Sequence, residues 1–324
     1  MDAIRWRAAA AGDAAALANL FASSEAVAAV ELETSAERIR SRLAHPGLDL
    51  DRYTTIGLGP DGSAAAYAEV CDMGVAADAL RLRLTRAIRP DIGDEVDSHL
   101  HSWLLEKAGR LHRERAPELD AILGTRCGDS QQTLSSRLTD AGFEPTWRKV
   151  DMVHDLNTPR PTDAPTPPEL VIVPFETRYD ERTWRAHNDA YAASPSAAVL
   201  DRESWQQHAT GLSSFLPGAS FVAVTPEDDV AAFVLTVRDT DDDRRNDAVL
   251  ECVGTRVAWR RRGLARTLVA EALRACRTNG FERVRLQADS ANSAAIELYV
   301  KLGFIETGRG YSVLTRRLKA SGNT

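Results

Sequence analysis

Arg260, Arg261 and Arg262 run directly into Gly263, with Leu264, Ala265 and Arg266 behind them as a helical pattern begins. Adjacent guanidiniums repel one another, even in a chain whose formal net charge is −7. A bound anion offsets that repulsion better than water does. The first amides of a helix lack intrahelical partners, and the helix dipole adds partial positive charge at the same end. Gly263 lets a phosphate approach the backbone without meeting a Cβ, and Ala265 is nearly as small. The arginines can then reach outer phosphate oxygens as charge-assisted donors. The spacing is Arg260-x-x-Gly263-x-Ala265. A P-loop would need Lys-Ser/Thr after its last glycine, which is absent. A dinucleotide fingerprint should sit early in a βαβ unit, whereas this turn is late and follows a meander.

The turn needs a strand before it and a helix after it. Residues 248–257, AVLECVGTRV, read as that strand, and Leu264, Leu268 and Ala272 form one apolar ridge of the helix. Upstream, residues 170–175, 220–225 and 231–239 read as strands, with two helical segments, WRAHNDAYAAS and RESWQQHATGL, between the first and second. Residues 239–247 form an acidic turn. Residues 281–289 and 311–318 are strands that flank a helix over 293–303. The order is β, α, α, β, β, β, α, β, α, β.

The first half repeats this order more faintly. IRWRAA, RYTTIGLG, SAAAYAEVCD, ALRLRLTRAI and AILGTRC read as strands, and a long helix covers roughly 94–114. Both halves carry a helix ending in Gly-Phe, at 142–143 and 303–304, an offset of 161 residues. At that offset Leu138 matches Tyr299 and Gln131 matches Asn292. A duplicated domain is the simplest account. Prolines 159, 161, 165, 167 and 168 make a semi-rigid spacer, which predicts domains at 1–156 and 170–324 joined by a linker over 157–169.

R-x-x-G-x-A after a strand, with ADSANSAAIELYVKLGF some thirty residues on, resembles the GNAT acetyltransferase superfamily. The resemblance covers about 150 residues at the C-terminus well and the first half more weakly. It implies an α/β fold of two tandem GNAT-like domains, each a largely antiparallel mixed sheet flanked by helices. It further implies acetyl-CoA as cosubstrate. Arg260, Arg261, Arg262, Gly263, Leu264 and Ala265 would hold its pyrophosphate. Val253 and Thr255 match the strand positions whose backbone pairs with the pantetheine arm, and Asn292 matches an asparagine beside that arm. Tyr299 matches the tyrosine that protonates the departing thiolate. One departure stands out, because Arg261 occupies a position that is usually glycine.

An amine acceptor is an ammonium at neutral pH, with about one molecule in a thousand ready to attack. A base must take its proton. Glu251 alternates in phase with Val253 and Thr255 and is the expected base. Asp247, at the start of the same strand, and a water are the alternatives. The first half keeps the layout without the chemistry, since Asp91, Asp94, Glu95 and Asp97 stand where amides should meet phosphate. Leu138 there replaces the tyrosine. The expected activity is N-acetylation of a small polar amine by direct transfer in a ternary complex. A protein or peptide amine is the second substrate class, and a non-catalytic acyl-CoA-binding regulator is a separate function class.

At 324 residues, with 44% hydrophobic and 27% charged residues, the composition is that of a globular protein. The acidic balance argues against general affinity for nucleic acid or anionic membranes and leaves room only for a local basic patch. No apolar run approaches the ~20 residues needed to span a bilayer. The N-terminus lacks a signal-peptide layout, and Cys71, Cys127, Cys252 and Cys276 show no paired spacing. These features point to a cytoplasmic protein with reduced thiols and no metal site, as monomer or homodimer. His187 and His208 lack ligand spacing and read as helix-packing or surface residues.

Overall fold

The computed structural model describes residues 4–24, 35–76, 78–158, 169–192, 200–239 and 246–320. Two compact units result, Met1–Arg148 with Arg309–Thr324, and Lys149–Gly308.

The first unit runs β1 (Arg5–Arg7), α1 (Ala14–Ser23), α2 (Ala36–Leu43), α3 (Leu50–Tyr53), β2 (Thr54–Leu58), β3 (Ala64–Ala76), β4 (Ala79–Ile88), α4 (Asp94–Arg115), β5 (Asp120–Gly128) and α5 (Gln132–Asp140). The long helix expected over 94–114 is α4. Its Val96, Leu100, Leu104, Ala108 and Leu111 recur at helical spacing and are buried on the sheet. Strand pairs are antiparallel except β4 with β5, which pair in parallel from Ala79–Leu84 on Asp120–Thr125.

Next comes β6 (Glu144–Asp155), a strand the sequence pattern did not reveal. The second unit continues with β7 (Val171–Pro174), α6 (Asp180–Tyr191), α7 (Arg202–Trp205), β8 (Phe221–Val224), β9 (Val230–Arg238) and β10 (Asp247–Thr255). Then follow α8 (Leu264–Thr278), β11 (Arg283–Asp289), α9 (Ser293–Lys301) and β12 (Ile305–Leu318). This is the expected order of strands and helices. Leu264, Leu268 and Ala272 of α8 are buried in a core with Leu250, Leu286, Tyr299 and Phe304. Again the pairs are antiparallel except one, β10 with β11.

The two units do not part at the proline-rich segment. Residues 149–155 of β6 pair with β11, and Tyr311–Leu318 of β12 pair back with β5. Each late strand thus completes the sheet of the other half, and the crossings fall at 148/149 and 308/309. Both flanks of the expected 157–169 linker therefore belong to the second unit. Residues 159–168 of that linker, and residues 240–245 of the acidic turn, lie outside the described residues.

The repeated Gly-Phe pairs are helix C-caps. Gly142 and Gly303 adopt φ of 79° and 89°, left-handed values that cost glycine little. The Phe143 amide donates to the Leu138 carbonyl at 2.9 Å, and that of Phe304 to Tyr299 at 3.0 Å. Both phenylalanines are 1% exposed, so each cap also seals its core.

Candidate active site

β10 and β11 pair only over Asp247–Val249 and Arg283–Arg285. Beyond Val249, β10 stays on β9 while β11 stays on β6. From Leu250 onward, β10 has no ladder partner on its β11 side, and this leaves backbone groups for a ligand arm.

A register shift between Leu250 and Cys252 on β9 makes Glu251 the extra residue of a β-bulge. This corrects the expected strict alternation. Leu250 belongs to the core under α8, Cys252 packs in the opposite core with Phe233 and Leu235, and Val253 returns to the first. Glu251 is therefore not simply in phase with Val253 and Thr255. Asp247 is 2% exposed and held by Arg283, which donates through Nε at 3.1 Å. A buried, ion-paired carboxylate at the closed end of the strand is a structural group, which removes Asp247 as an alternative base.

After Thr255 the chain makes a 3-10 turn over Val257–Trp259 and reaches the arginines. Arg261 has φ 65° and Gly263 φ 82°, so two left-handed residues flank Arg262 just before α8. Backbone that changes hand in this way turns amides to one side and forms an anion-binding concavity. A Cβ on Gly263 would meet nothing within 4 Å, so its outer side is open. Arg261 takes the conformation that the missing glycine would have taken, at a cost of about 1–2 kcal/mol. Leu264 is 2% exposed, so its side chain serves the core and only its amide can face a ligand. Ala265 is half-buried beside it.

The arginines have different surroundings. Arg260 is hooked inward, donating to the Ala190 carbonyl at 2.7 Å and the Thr255 carbonyl at 3.3 Å. Arg262 pairs with Glu169 at 3.0 Å and lies over the Trp259 ring, 4.7 Å from its centroid. Arg261 is exposed. Two further contacts tie the end of α6 to this region. Arg256 meets Asp189 at 3.2 Å, and the Tyr191 hydroxyl donates to the Val253 carbonyl at 2.8 Å. That carbonyl keeps a second lone pair for a ligand.

Asn292 caps α9, its side chain accepting from the Ala295 amide at 3.1 Å. Tyr299, 8% exposed, packs edge-on against Phe304. Burial, with the Cys252 thiol beside it, pushes its phenol up to about 12. Cys252 and Tyr299 also act on Tyr191, whose pKa burial raises well above the ordinary value. Tyr191, Cys252 of the motif strand and Tyr299 thus lie close enough for the charge of one to act on the others. Sequence reading missed Tyr191 and Cys252, because nothing in a helix end or a strand interior marks them. His187 is 5% exposed among Tyr191, Trp205 and Phe233, and burial lowers its pKa. That is the expected packing role. The side chain of His208 lies outside the described residues. Among the described residues, no cluster of His, Cys, Asp or Glu could hold a metal, and no helix is long and apolar enough to cross a membrane.

A splayed parallel strand pair leading through a left-handed turn into a helix defines an acetyltransferase of the GNAT family, and the chain belongs to that family. The family model, acetyltransferase (GNAT), matches residues 180–304. A mycothiol acetyltransferase of Nocardiopsis dassonvillei is 30% identical over 243 residues, covering 66% of this chain and 71% of that protein. A second, of Thermobispora bispora, is 31% identical over 173 residues, covering 51% and 56%. Among solved structures, a GCN5-related N-acetyltransferase from Sphaerobacter thermophilus matches with TM-score 0.71 at 24% identity, over 98% of this chain and 96% of that one. A tandem GNAT protein from the clavulanic acid biosynthesis pathway matches with TM-score 0.67 at 14% identity, over 99% of each. The last two likenesses are of fold. The GNAT family uses acyl-CoA cosubstrates, and the open turn at Gly263 suits such a group.

Proposed function

We propose that the second unit transfers an acetyl group from acetyl-CoA to a small polar amine, directly, within a ternary complex. The observation that carries this reading is the turn itself. Two left-handed residues bend the backbone at the head of α8, in a segment with four arginines. The pyrophosphate would lie on the amides of Arg261–Ala265, with the Arg260, Arg261 and Arg262 side chains around it. The unpaired edge of β10 at Val253 and Thr255 would take the pantetheine arm, with Asn292 nearby. When bound, acetyl-CoA supplies an activated thioester carbonyl.

Glu251 is the proposed base, since the bulge lifts it out of the regular ladder on the strand that borders the open wedge. Tyr299 is the proposed donor to the departing sulfur. Held at about 12, its phenol keeps its proton at neutral pH. A thiol titrates near 8.5, so full transfer from such a phenol runs uphill by roughly 5 kcal/mol. Tyr299 therefore serves mainly as a hydrogen-bond donor to developing thiolate charge. The free cysteines, all buried or half-buried, fit a cytoplasmic setting.

Two relatives bear the name mycothiol acetyltransferase, so a mycothiol-type acceptor heads the amines to test. The experiment is a mass-spectrometric screen of an amine library with acetyl-CoA, scoring acetylated product and free thiol. Acetylation of one or a few small amines is the expected result. Binding of acetyl-CoA without turnover on any amine would overturn the reading in favour of a regulator. Acetylation confined to peptide amines would overturn the acceptor class alone.

A further inference from the structure

Leu286 and Ala288 of β11 belong to the core under α8, so Arg283, Arg285 and Gln287 face the other side of the sheet. Each of the three reaches a carboxylate. Arg283 holds Asp247, and Arg285 meets Asp239 at 3.1 Å. Gln287 continues the series with Asp151, the residue directly opposite on β6, donating through its amide nitrogen at 2.9 Å. The series changes type at the point where β10 and β11 part. An arginine there would offer donors alone, whereas a glutamine carries an acceptor as well.

Asp151 decides which way that amide is turned. Its carboxylate is 2% exposed, and an ionised carboxylate accepts hydrogen bonds without donating any. It draws the NH2 group of Gln287 toward β6 and leaves Oε1 turned away from β6, toward the β10 side. Among the described residues, Asp151 is the one hydrogen-bond partner of the half-buried Gln287. The ladder of β10 and β11 ends at Val249 and Arg285. Two residues further along each strand, Glu251 and Gln287 stand level across the opening. Cys252, beside Glu251 at the bulge, packs on the same side of the sheet as Gln287. All of these residues lie in the second unit.

We infer that Gln287 makes the transferase selective for primary amines, by accepting the N–H that the product amide keeps. This rests on the proposed acetyl transfer with Glu251 as base. A primary amine attacking as the free base carries two N–H groups. As the C–N bond forms, one proton passes to Glu251 and the other N–H stays on Gln287 Oε1. As the C–S bond breaks, sulfur leaves as a thiolate on the Tyr299 hydroxyl and is protonated by solvent. A secondary amine has a single N–H, which goes to Glu251. It turns an alkyl group to Gln287 and leaves that acceptor unpaired, a mismatch that a polar site rejects strongly. Gln287 is thus a specificity residue, and Asp151 is the positioning residue behind it.

The test repeats the amine screen on the full chain, with every primary amine mixed in equal amount with its N-methyl analogue. Ethanolamine, histamine and glucosamine, each with its N-methyl partner, are the first pairs. Mass spectrometry reads the ratio of the two products, and a ratio within one mixture is insensitive to loss of folded protein. The wild type should favour the primary amine at least tenfold. Gln287→Leu should bring the ratio to within threefold of one, with acetyl-CoA affinity unchanged. Asp151→Asn can present its own NH2 and turn the Gln287 amide round, so the ratio should fall at least threefold with Gln287 in place. It decides the matter if Gln287→Leu does not fold. A wild-type ratio near one, or a ratio unchanged in the variants, would overturn the inference and leave acetyl transfer standing. Bound acetyl-CoA with no product from any pair would overturn the transfer reading itself, and this inference with it.

Discussion

The turn before α8 and the turn before α4 follow equivalent strands, and they treat the helix amides in opposite ways. Before α8, Arg261 and Gly263 are left-handed, and the first helical turn contains no acid. Before α4, Gly93 has an ordinary φ of −71°, and Asp94, Glu95 and Asp97 fill the first turn. Carboxylates there complement the helix dipole from within the protein, which leaves nothing for an external anion. Asp97 is also bound by Arg86 and Arg137, and Asp91 by Arg89 at 2.6 Å. Two of the four acids expected to repel phosphate are thus held by arginines. Duplication has preserved the strands, the helices and the Gly-Phe caps. What separates the two turns is a pair of torsion angles and the sign of three or four side chains.

The largest expected effect comes from reversing those signs. Arg260→Glu with Arg262→Glu should weaken acetyl-CoA binding by more than tenfold in isothermal titration, since charge-assisted contacts are worth roughly 1.5–3 kcal/mol each. Asp94→Ala with Glu95→Ala should leave it unchanged. An equal response from both variants would mean that the two turns are not functionally different. Because Arg260 also clasps the Ala190 carbonyl, thermal melts of the reversed variant should accompany the titration.

Tyr299 against Leu138 is the second contrast. Tyr299→Phe should lower turnover about 10²-fold, at the modest end for an acid group because the phenol is held high. Cofactor affinity should stay the same. The sign of the pH dependence follows from the raised pKa. The phenol stays protonated below about 10 and loses its proton only toward about 12, so the ratio of wild-type to variant turnover should be flat from pH 6 to 9. A ratio that falls across neutral pH would assign the proton to another group, and a ratio near one would leave Tyr299 as a core residue.

Much of this frame was legible in the sequence. The element order, the glycine at the head of α8 and the paired Gly-Phe helix ends follow from local patterns, and local patterns are what a sequence displays. The exchange of β6 and β12 was not legible, because ladder hydrogen bonds are made by the backbone and carry no side-chain code. Val150 and Met152, two residues apart on one face, would pack equally well in either sheet. The bulge at Glu251 was hidden for a related reason. One extra residue in a strand changes the facing of every residue after it, yet leaves the composition untouched. The inward hook of Arg260 depends on where α6 ends, a tertiary fact.

A smaller effect separates the second pair of helix starts. Asn292→Ala removes a side-chain cap and should cost about 1 kcal/mol in denaturant unfolding. Gln131 at the matching position caps no helix amide and instead accepts from the Gly128 amide at 2.9 Å. Gln131→Ala should leave the α5 start intact and cost less. If acetyl-CoA affinity also drops in Asn292→Ala beyond what the unfolding data explain, the asparagine touches the ligand as well as capping its helix.

The smallest effect is the most pointed, because it isolates backbone from charge. Arg261 holds φ at 65°, a region that costs an L-residue about 1–2 kcal/mol. Glycine there removes that strain but loses more freedom on folding, roughly 0.5–1 kcal/mol. Arg261→Gly should therefore raise stability by about 0.5–1 kcal/mol, read as a higher denaturant midpoint. If the turn binds phosphate mainly through its amides, the solvent-exposed Arg261 side chain adds little and acetyl-CoA affinity should fall by less than tenfold. Arg261→Val, β-branched and poorly suited to this φ, should lose both stability and affinity. In the other turn, Gly93→Ala meets no such barrier and should change neither quantity measurably. A large loss of affinity in Arg261→Gly, with stability raised, would show that the side chain and not the left-handed turn holds the anion. The difference between the two units would then lie in charge alone.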